Sequence, residues 1–257
     1  MTDLLIERRD GVLDITFNRP ERRNAFTRAM YGELRQLWID TAADRSVRVV
    51  VLRGAGGKAF AAGNEISDFV GNEDVVQYED WIRGMLDGLF RLPQVTVAAV
   101  DGVCVGGGLA VATSCDLRVA TAGSRFGYPI ARTLGNALSS PVLYRCAAVF
   151  GESLTREMLL ASRLVDADRA HAVGAVLSVL SDRDALDAEV ETLVAGILQA
   201  SPATLRTTKQ QLAARARLTE VAPPEEEALL HEVYGGPDFA EGVRAFLAKE
   251  KPAFGAT

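Results

Sequence analysis

Several residue types that carry chemistry elsewhere are scarce in this chain. It has three cysteines, Cys104, Cys115 and Cys146, and no C-x-x-C pair. That excludes a disulfide framework and a structural zinc site, so no metal is expected. The three read instead as small apolar core residues. A nucleophilic cysteine would want a histidine partner, yet the chain has only His171 and His231, both in its C-terminal half. There is no basic excess: 28 lysines and arginines stand against 34 acidic residues, a net charge of −6. That argues against a nucleic-acid binder. No apolar run is long enough to span a bilayer. The first residues, MTDLLIERRD, lack the basic start and long apolar core of a signal peptide, so a cytoplasmic location is expected. Neither an internal repeat nor a low-complexity linker interrupts the chain.

What remains is an ordinary globular composition, 48% hydrophobic and 24% charged over 257 residues. The stretch Thr96 to Ala120 organises it. Val95 to Val100 is a β-branched run between Pro93 and Asp101-Gly102, which reads as a buried strand. Gly106, Gly107 and Gly108 follow, then an apolar helix start at Leu109 to Thr113, then a strand at Asp116 to Ala120. Glycines where a loop becomes a helix let backbone approach a ligand closely. The helix start also offers unpaired N–H groups and a positive dipole end to a negative oxygen. Tight helix–strand packing without a ligand would explain the same glycines.

Upstream, Leu4 to Glu7 and Val12 to Phe17 flank Asp10-Gly11 and predict a β-hairpin. Thr27 opens a helix with Met30, Leu34, Leu37 and Trp38 on one face. Val47 to Leu52 predicts a strand, and Tyr78 to Leu92 a helix. Gly54, Gly56 and Ala59 fit the dinucleotide-binding spacing, but Gly63-Asn64 interrupts where its helix should run. A nicotinamide-dependent oxidoreductase is therefore a remote alternative. Downstream, Arg125 to Ala137 reads as a loop. Ser139 or Ser140 caps a helix with Pro141 in its first turn, and a separate short helix covers Thr155 to Ala161. From Asp182 onward the pattern is helical only. The fold class expected is α/β with a helical C-terminal region, divided at 1–195 and 196–257.

These residues carry a resemblance. Asn18-Arg19-Pro20 with Asn24-Ala25-Phe26, the segment Lys58 to Ile66, Asp101-Gly102 with the triple glycine and Cys115-Asp116, Phe126-Gly127-Tyr128-Pro129, and the tail Phe246 to Phe254 together resemble the crotonase superfamily, the enoyl-CoA hydratase/isomerase family, over nearly the whole chain. The resemblance implies a spiral of ββα turns, homotrimers that can pair into hexamers, a place in fatty acid metabolism, and acyl-CoA thioester substrates, with no cofactor beyond the substrate's own coenzyme A. It implies an oxyanion hole from the N–H groups of Asn64 and Gly107, aimed at the enolate oxygen that forms beside a thioester. Arg23, Ala25, Ala62, Glu65, Ile66 and Ser67 would contact substrate, as would Tyr128 and Ile130. Hydratases of the family use two glutamates to handle water. Here Ala110 and Ile130 hold those positions, and neither can move a proton, a contribution of about 10²–10⁴-fold where a positioned acid or base is present. Arg132 and Asn136, in a polar glycine-containing loop, are the leading substitute catalytic candidates; Tyr128 and Ser139 in or near that loop, and Glu65 and Asp68, are the others. A lyase or isomerase working through the same enolate is the leading expectation; a non-catalytic acyl-CoA-binding protein is the alternative.

Overall fold

The computed structural model describes residues 2–66 and 75–255, with 75–80 as backbone only. Ser67 and Asp68 lie outside the described residues.

The hairpin forms as predicted: β1 (Leu4–Arg9) pairs antiparallel with β2 (Val12–Phe17) about Asp10-Gly11. Next come α1 (Arg28–Ala43), β3 (Val49–Gly54), β4 (Ala59–Ala62), α2 (Val75–Phe90), β5 (Val95–Val100), β6 (Val103–Val105), α3 (Gly107–Ser114), β7 (Leu117–Thr121) and β8 (Arg125–Gly127). The remainder is α4 (Ile130–Thr133), α5 (Ser140–Leu160), β9 (Val165–Asp166), α6 (Ala167–Ala172), β10 (Val179–Leu180), α7 (Arg183–Gln199), α8 (Pro202–Thr219), α9 (Glu226–Tyr234) and α10 (Pro237–Ala248). The expected boundary at 195/196 falls inside α7.

Two sheets result. One has six strands in the order β1-β2-β3-β5-β7-β10, parallel apart from the first pair. Its central strands are buried on both faces, which is why they read as unbroken apolar runs. Val49, Val51, Val97, Ala99 and Val119 meet Leu186, Val190 and Val194 of α7. The opposite face, with Val50, Leu52, Ala98 and Val100, meets the main core around α1, α2 and α3. The second sheet has four short strands, β4-β6-β8-β9.

Two expectations need correction. The stretch Arg125 to Ala137 is not wholly loop, because β8 and α4 lie within it. The short helix expected at Thr155 to Ala161 does form but begins earlier: Gly151, at φ 75° and ψ 160°, is not helical and divides α5 in two, so the second segment starts just after Gly151 and ends at Leu160. The cysteines are core residues as read. All three are buried, and burial pushes the Cys115 thiol up to about 12, that of Cys146 up to about 11, and that of Cys104 the same way. Among the described residues no helix is long and apolar enough to cross a membrane.

Candidate functional site

Three neighbouring strands of the small sheet end at one cavity. Gly63-Asn64 leaves β4, Gly106-Gly107 leaves β6, and Pro129-Ile130 follows β8. Asn64, Gly106, Gly107 and Ile130 all line the cavity. Ligand sites favour the carboxyl ends of parallel strands, where backbone turns away and leaves its hydrogen-bonding groups unused. Helices α1, α2 and α5 close the cavity with Tyr31, Ile82, Leu86 and Val142.

The triple glycine is shaped by contact. Gly106 has φ of 55°, in the region glycine favours, and a Cβ there would stand 3.2 Å from Gly63 Cα, where the two loops pass. A Cβ on Gly108 would come within 2.1 Å of the Ala61 carbonyl oxygen, so α3 lies directly on β4. A Cβ on Gly107 would stand 2.4 Å from Asn64 Oδ1 and 2.8 Å from the Tyr31 hydroxyl. Asn64 and Gly107 are thus immediate neighbours. Asn64 is pinned by its side chain, since the Tyr31 hydroxyl donates to Asn64 Oδ1 at 2.6 Å. Its backbone is held by Phe26, whose N–H donates to the Gly63 carbonyl at 2.9 Å and whose carbonyl accepts from Glu65 N–H at 2.7 Å. Those bonds leave the Asn64 N–H out of the ladder. Gly107 is the first residue of α3, where an N–H has no partner in its own helix. Among the described residues neither N–H donates a hydrogen bond to protein.

The other predicted residues fall in three groups. Ile66, Ala110, Ile130 and Asn136 line the cavity with Asn64 and Gly107. Ala62 ends β4, Glu65 follows it, and Arg23 and Ala25 lie on the loop before α1 that runs beside β4. Arg23 is exposed and its carbonyl accepts from Ala62 N–H at 2.9 Å. Asn24, fully buried, locks this loop by donating to the Ala55 and Ala59 carbonyls at 3.0 and 2.8 Å. The Glu65 carboxylate is turned to Arg19 at 3.0 Å, and Arg19 also donates to the Ala25 carbonyl at 2.6 Å. The third group stands off the cavity. Arg132 is exposed and donates to the Ser162 carbonyl at 2.8 Å, because α4 carries it to the outer surface. Tyr128 is fully buried beside Cys104 and Cys146, and burial pushes its phenol well above the usual range.

Sequence reasoning missed Tyr31. It lies on the buried side of α1 three residues before Leu34 and seven before Trp38, so it passed as packing. Its only sequence signal is a polar tip on an otherwise apolar face. No carboxylate stands among the described residues that line the cavity; the wall is Ala110, Ile82, Leu86, Ile130, Leu134 and other apolar groups, with Tyr31, Asn64, Asn136 and Ser139 the polar ones.

Known proteins resemble this chain in sequence and fold. Residues 7–257 match the family model for enoyl-CoA hydratase/isomerase. The human mitochondrial enoyl-CoA hydratase domain-containing protein 2 is 30% identical over 95% of this chain and 85% of its own. A solved enoyl-CoA hydratase/carnithine racemase from Magnetospirillum magneticum is 36% identical with a TM-score of 0.79, covering 100% of this chain and 97% of that one. A methylmalonyl-CoA decarboxylase structure, at 24% identity, shares the fold with a TM-score of 0.90 over 100% of this chain and 99% of that one. A match to all but the first six residues, on top of the fold and the glycine-lined strand ends, places this chain in the enoyl-CoA hydratase/isomerase family.

Proposed function

We propose that the protein binds an acyl-CoA thioester with its carbonyl oxygen between the main-chain N–H groups of Asn64 and Gly107. The observation that carries this is a pair of neighbouring residues lining a largely apolar cavity, each with a main-chain N–H that has no acceptor among the described residues. Chemistry beside a thioester passes through an enolate, and donors already aimed at its oxygen are worth about 3–4 kcal/mol each. The dipole of α3 adds to them. The coenzyme lies along the loops that flank β4, past Arg23, Ala25, Ala62, Glu65 and Ile66, toward Ser67. No other cofactor is needed for this.

The reaction is limited by the wall. Ala110 and Ile130 supply no proton, so water addition by a carboxylate pair is not its chemistry. Enolate reactions that do not rely on such a pair remain: isomerisation, decarboxylation or carbon–carbon cleavage. The absence of a carboxylate among the described lining residues favours a second reading, an acyl-CoA-binding protein without turnover. Both share the oxyanion site, and one measurement tests it. Butanoyl-CoA labelled with ¹³C at the carbonyl is expected to show its C=O stretch at lower wavenumber when bound than when free. Binding with an unshifted stretch would remove Asn64 and Gly107 from the site.

We also read the protein as a cytoplasmic homotrimer able to pair into hexamers. Leu218 and Val221, at the end of α8 and just past it, are 82% and 64% exposed, and Leu212 and Leu229 are more than half exposed, apolar surface that a second copy would cover. Light scattering is expected to give three or six times the 27.6 kDa chain mass; a monomer at micromolar concentration would refute this assembly.

A further inference from the structure

We infer that Ser139 and Asn136 form a polar subsite that reads a hydroxyl group on the acyl chain. This rests on the thioester reading above.

The argument begins with a serine released from its ordinary task. Ser139 is the N-cap of α5, a position where serine normally spends its hydroxyl on a backbone N–H of the first turn. Here it makes no such bond. The Glu226 carboxylate, from α9, accepts the N–H of Ser140 instead, and Arg83 stands 3.7 Å from its other oxygen. Capping has been taken over by a residue 86 positions away, and the serine hydroxyl is left over. Ser139 is only 3% exposed, it lines the cavity, and its Oγ has no protein partner. Three residues earlier, Asn136 lines the same cavity with Oδ1 buried and also unpartnered. Buried polar atoms are nearly always paired, so two orphans on one wall call for a shared ligand group.

Their chemistry selects that group. An amide oxygen only accepts; a serine hydroxyl donates or accepts. A ligand hydroxyl answers both, donating to Asn136 Oδ1 and accepting from Ser139 Oγ–H. A carboxylate has no proton for Asn136 Oδ1, and among the described residues that line the cavity none is cationic, so it would be buried without a counter-charge. A plain alkyl chain would leave both orphans as they are. Of the other described lining residues, Tyr31 and Asn64 are hydrogen-bonded to each other, and Ile82, Leu86, Ile130, Leu134, Leu138 and Val142 are apolar. The subsite is therefore a discriminator among thioesters that all satisfy the same oxyanion hole.

Calorimetric titration with butanoyl-CoA and its 2-, 3- and 4-hydroxy derivatives tests this. At least one hydroxylated thioester is expected to bind about tenfold tighter than butanoyl-CoA, the value of one to two well-made hydrogen bonds. That ratio is expected to fall to about one in Ser139→Ala and in Asn136→Leu, and to survive in Ser139→Thr, which keeps the hydroxyl; a merely structural serine would not show this rescue. Thermal melts of each variant report folding, and either single variant suffices to read the ratio. If butanoyl-CoA binds and no hydroxylated derivative binds better, or if the preference survives both removals, the subsite is refuted and the oxyanion reading stands. If no thioester binds to folded protein, the oxyanion reading fails and this inference with it.

Discussion

Gly107→Pro is expected to weaken binding of an enolate-like acyl-CoA analogue by about 10²–10³-fold, the loss seen when one oxyanion donor is removed. Proline removes the donor and puts its ring Cδ where the hydrogen was. It has no N–H, and the first position of a helix tolerates it because that N–H bonds nothing in the helix. The preceding residue, Gly106, has φ of 55° and ψ of −126°, well away from the helical conformation that a following proline disfavours. The complication is steric, since any Cβ at 107 would stand 2.4 Å from Asn64 Oδ1 and 2.8 Å from the Tyr31 hydroxyl. Those are side-chain ends that can swing aside, at the cost of their mutual hydrogen bond. Gly107→Ala carries the same Cβ and keeps the N–H, so the difference between the two variants removes the Cβ effect and reports the exchange of the N–H for a ring carbon. Alanine is expected to retain a lowered carbonyl stretch in bound butanoyl-CoA, and proline to lose much of it. Equal behaviour of the two would mean that the Gly107 N–H does not touch the thioester.

Long elements were legible because burial writes a pattern into them, a helical period in α1 and an unbroken apolar run in a strand covered on both faces. Val95 to Val100 is buried at every position and reads as a strand at once. Thr27 caps α1 as its sequence position suggests, accepting from Met30 N–H at 3.2 Å. The second sheet was not legible. Strands β6 and β8 have three residues each and β4 is Ala-Phe-Ala-Ala, too short for alternation and too rich in alanine for strand propensity. Yet these strands place the site, so the sequence showed the glycines without the geometry that aligns them. The same holds for side chains. Arg132 and Asn136 share one loop and look alike in sequence, but α4 turns the first to the Ser162 carbonyl and leaves the second on the cavity wall. Ser139 reads as a helix cap from local spacing, and only the structure shows that its hydroxyl caps nothing while Glu226 of α9 takes the Ser140 N–H. Local rules describe what a residue can do; distant partners decide which option it takes.

Arg118→Leu is expected to cost about 3 kcal/mol of stability, and to reach the site from the far end of α3. Arg118 is 8% exposed, and desolvation pulls its guanidinium below the usual arginine range. It stays a cation because carbonyls surround it. Its Nη1 donates to Ala112 and Cys115 at 3.1 and 2.7 Å, its Nε to Ala175 at 2.7 Å, and its Nη2 to Asp116 at 3.1 Å. Ala112 and Cys115 lie at the C-terminal end of α3, where backbone oxygens lack partners in the helix and a cation favours the dipole. One end of this eight-residue helix is thus capped by a buried arginine while the other presents Gly107 to the cavity. Leucine would leave the Cys115 and Ala175 oxygens buried and unpaired, at about 1–3 kcal/mol each, and the Ala112 oxygen with only the 3.3 Å bond from Cys115 N–H, partly offset by the cost of burying the guanidinium, which disappears with it. The net loss corresponds to a melting temperature roughly 6–12 °C lower for a chain of this size. Arg118→Lys keeps the charge but lacks the fork that serves four oxygens, so an intermediate loss is expected. A helix loosened at its C-terminus also holds Gly107 less firmly, so the folded Arg118→Leu protein is expected to lower the bound carbonyl stretch less than the parent does. A thermal melt and a carbonyl spectrum both unchanged by the substitution would show that α3 is held by its packing on β4 alone.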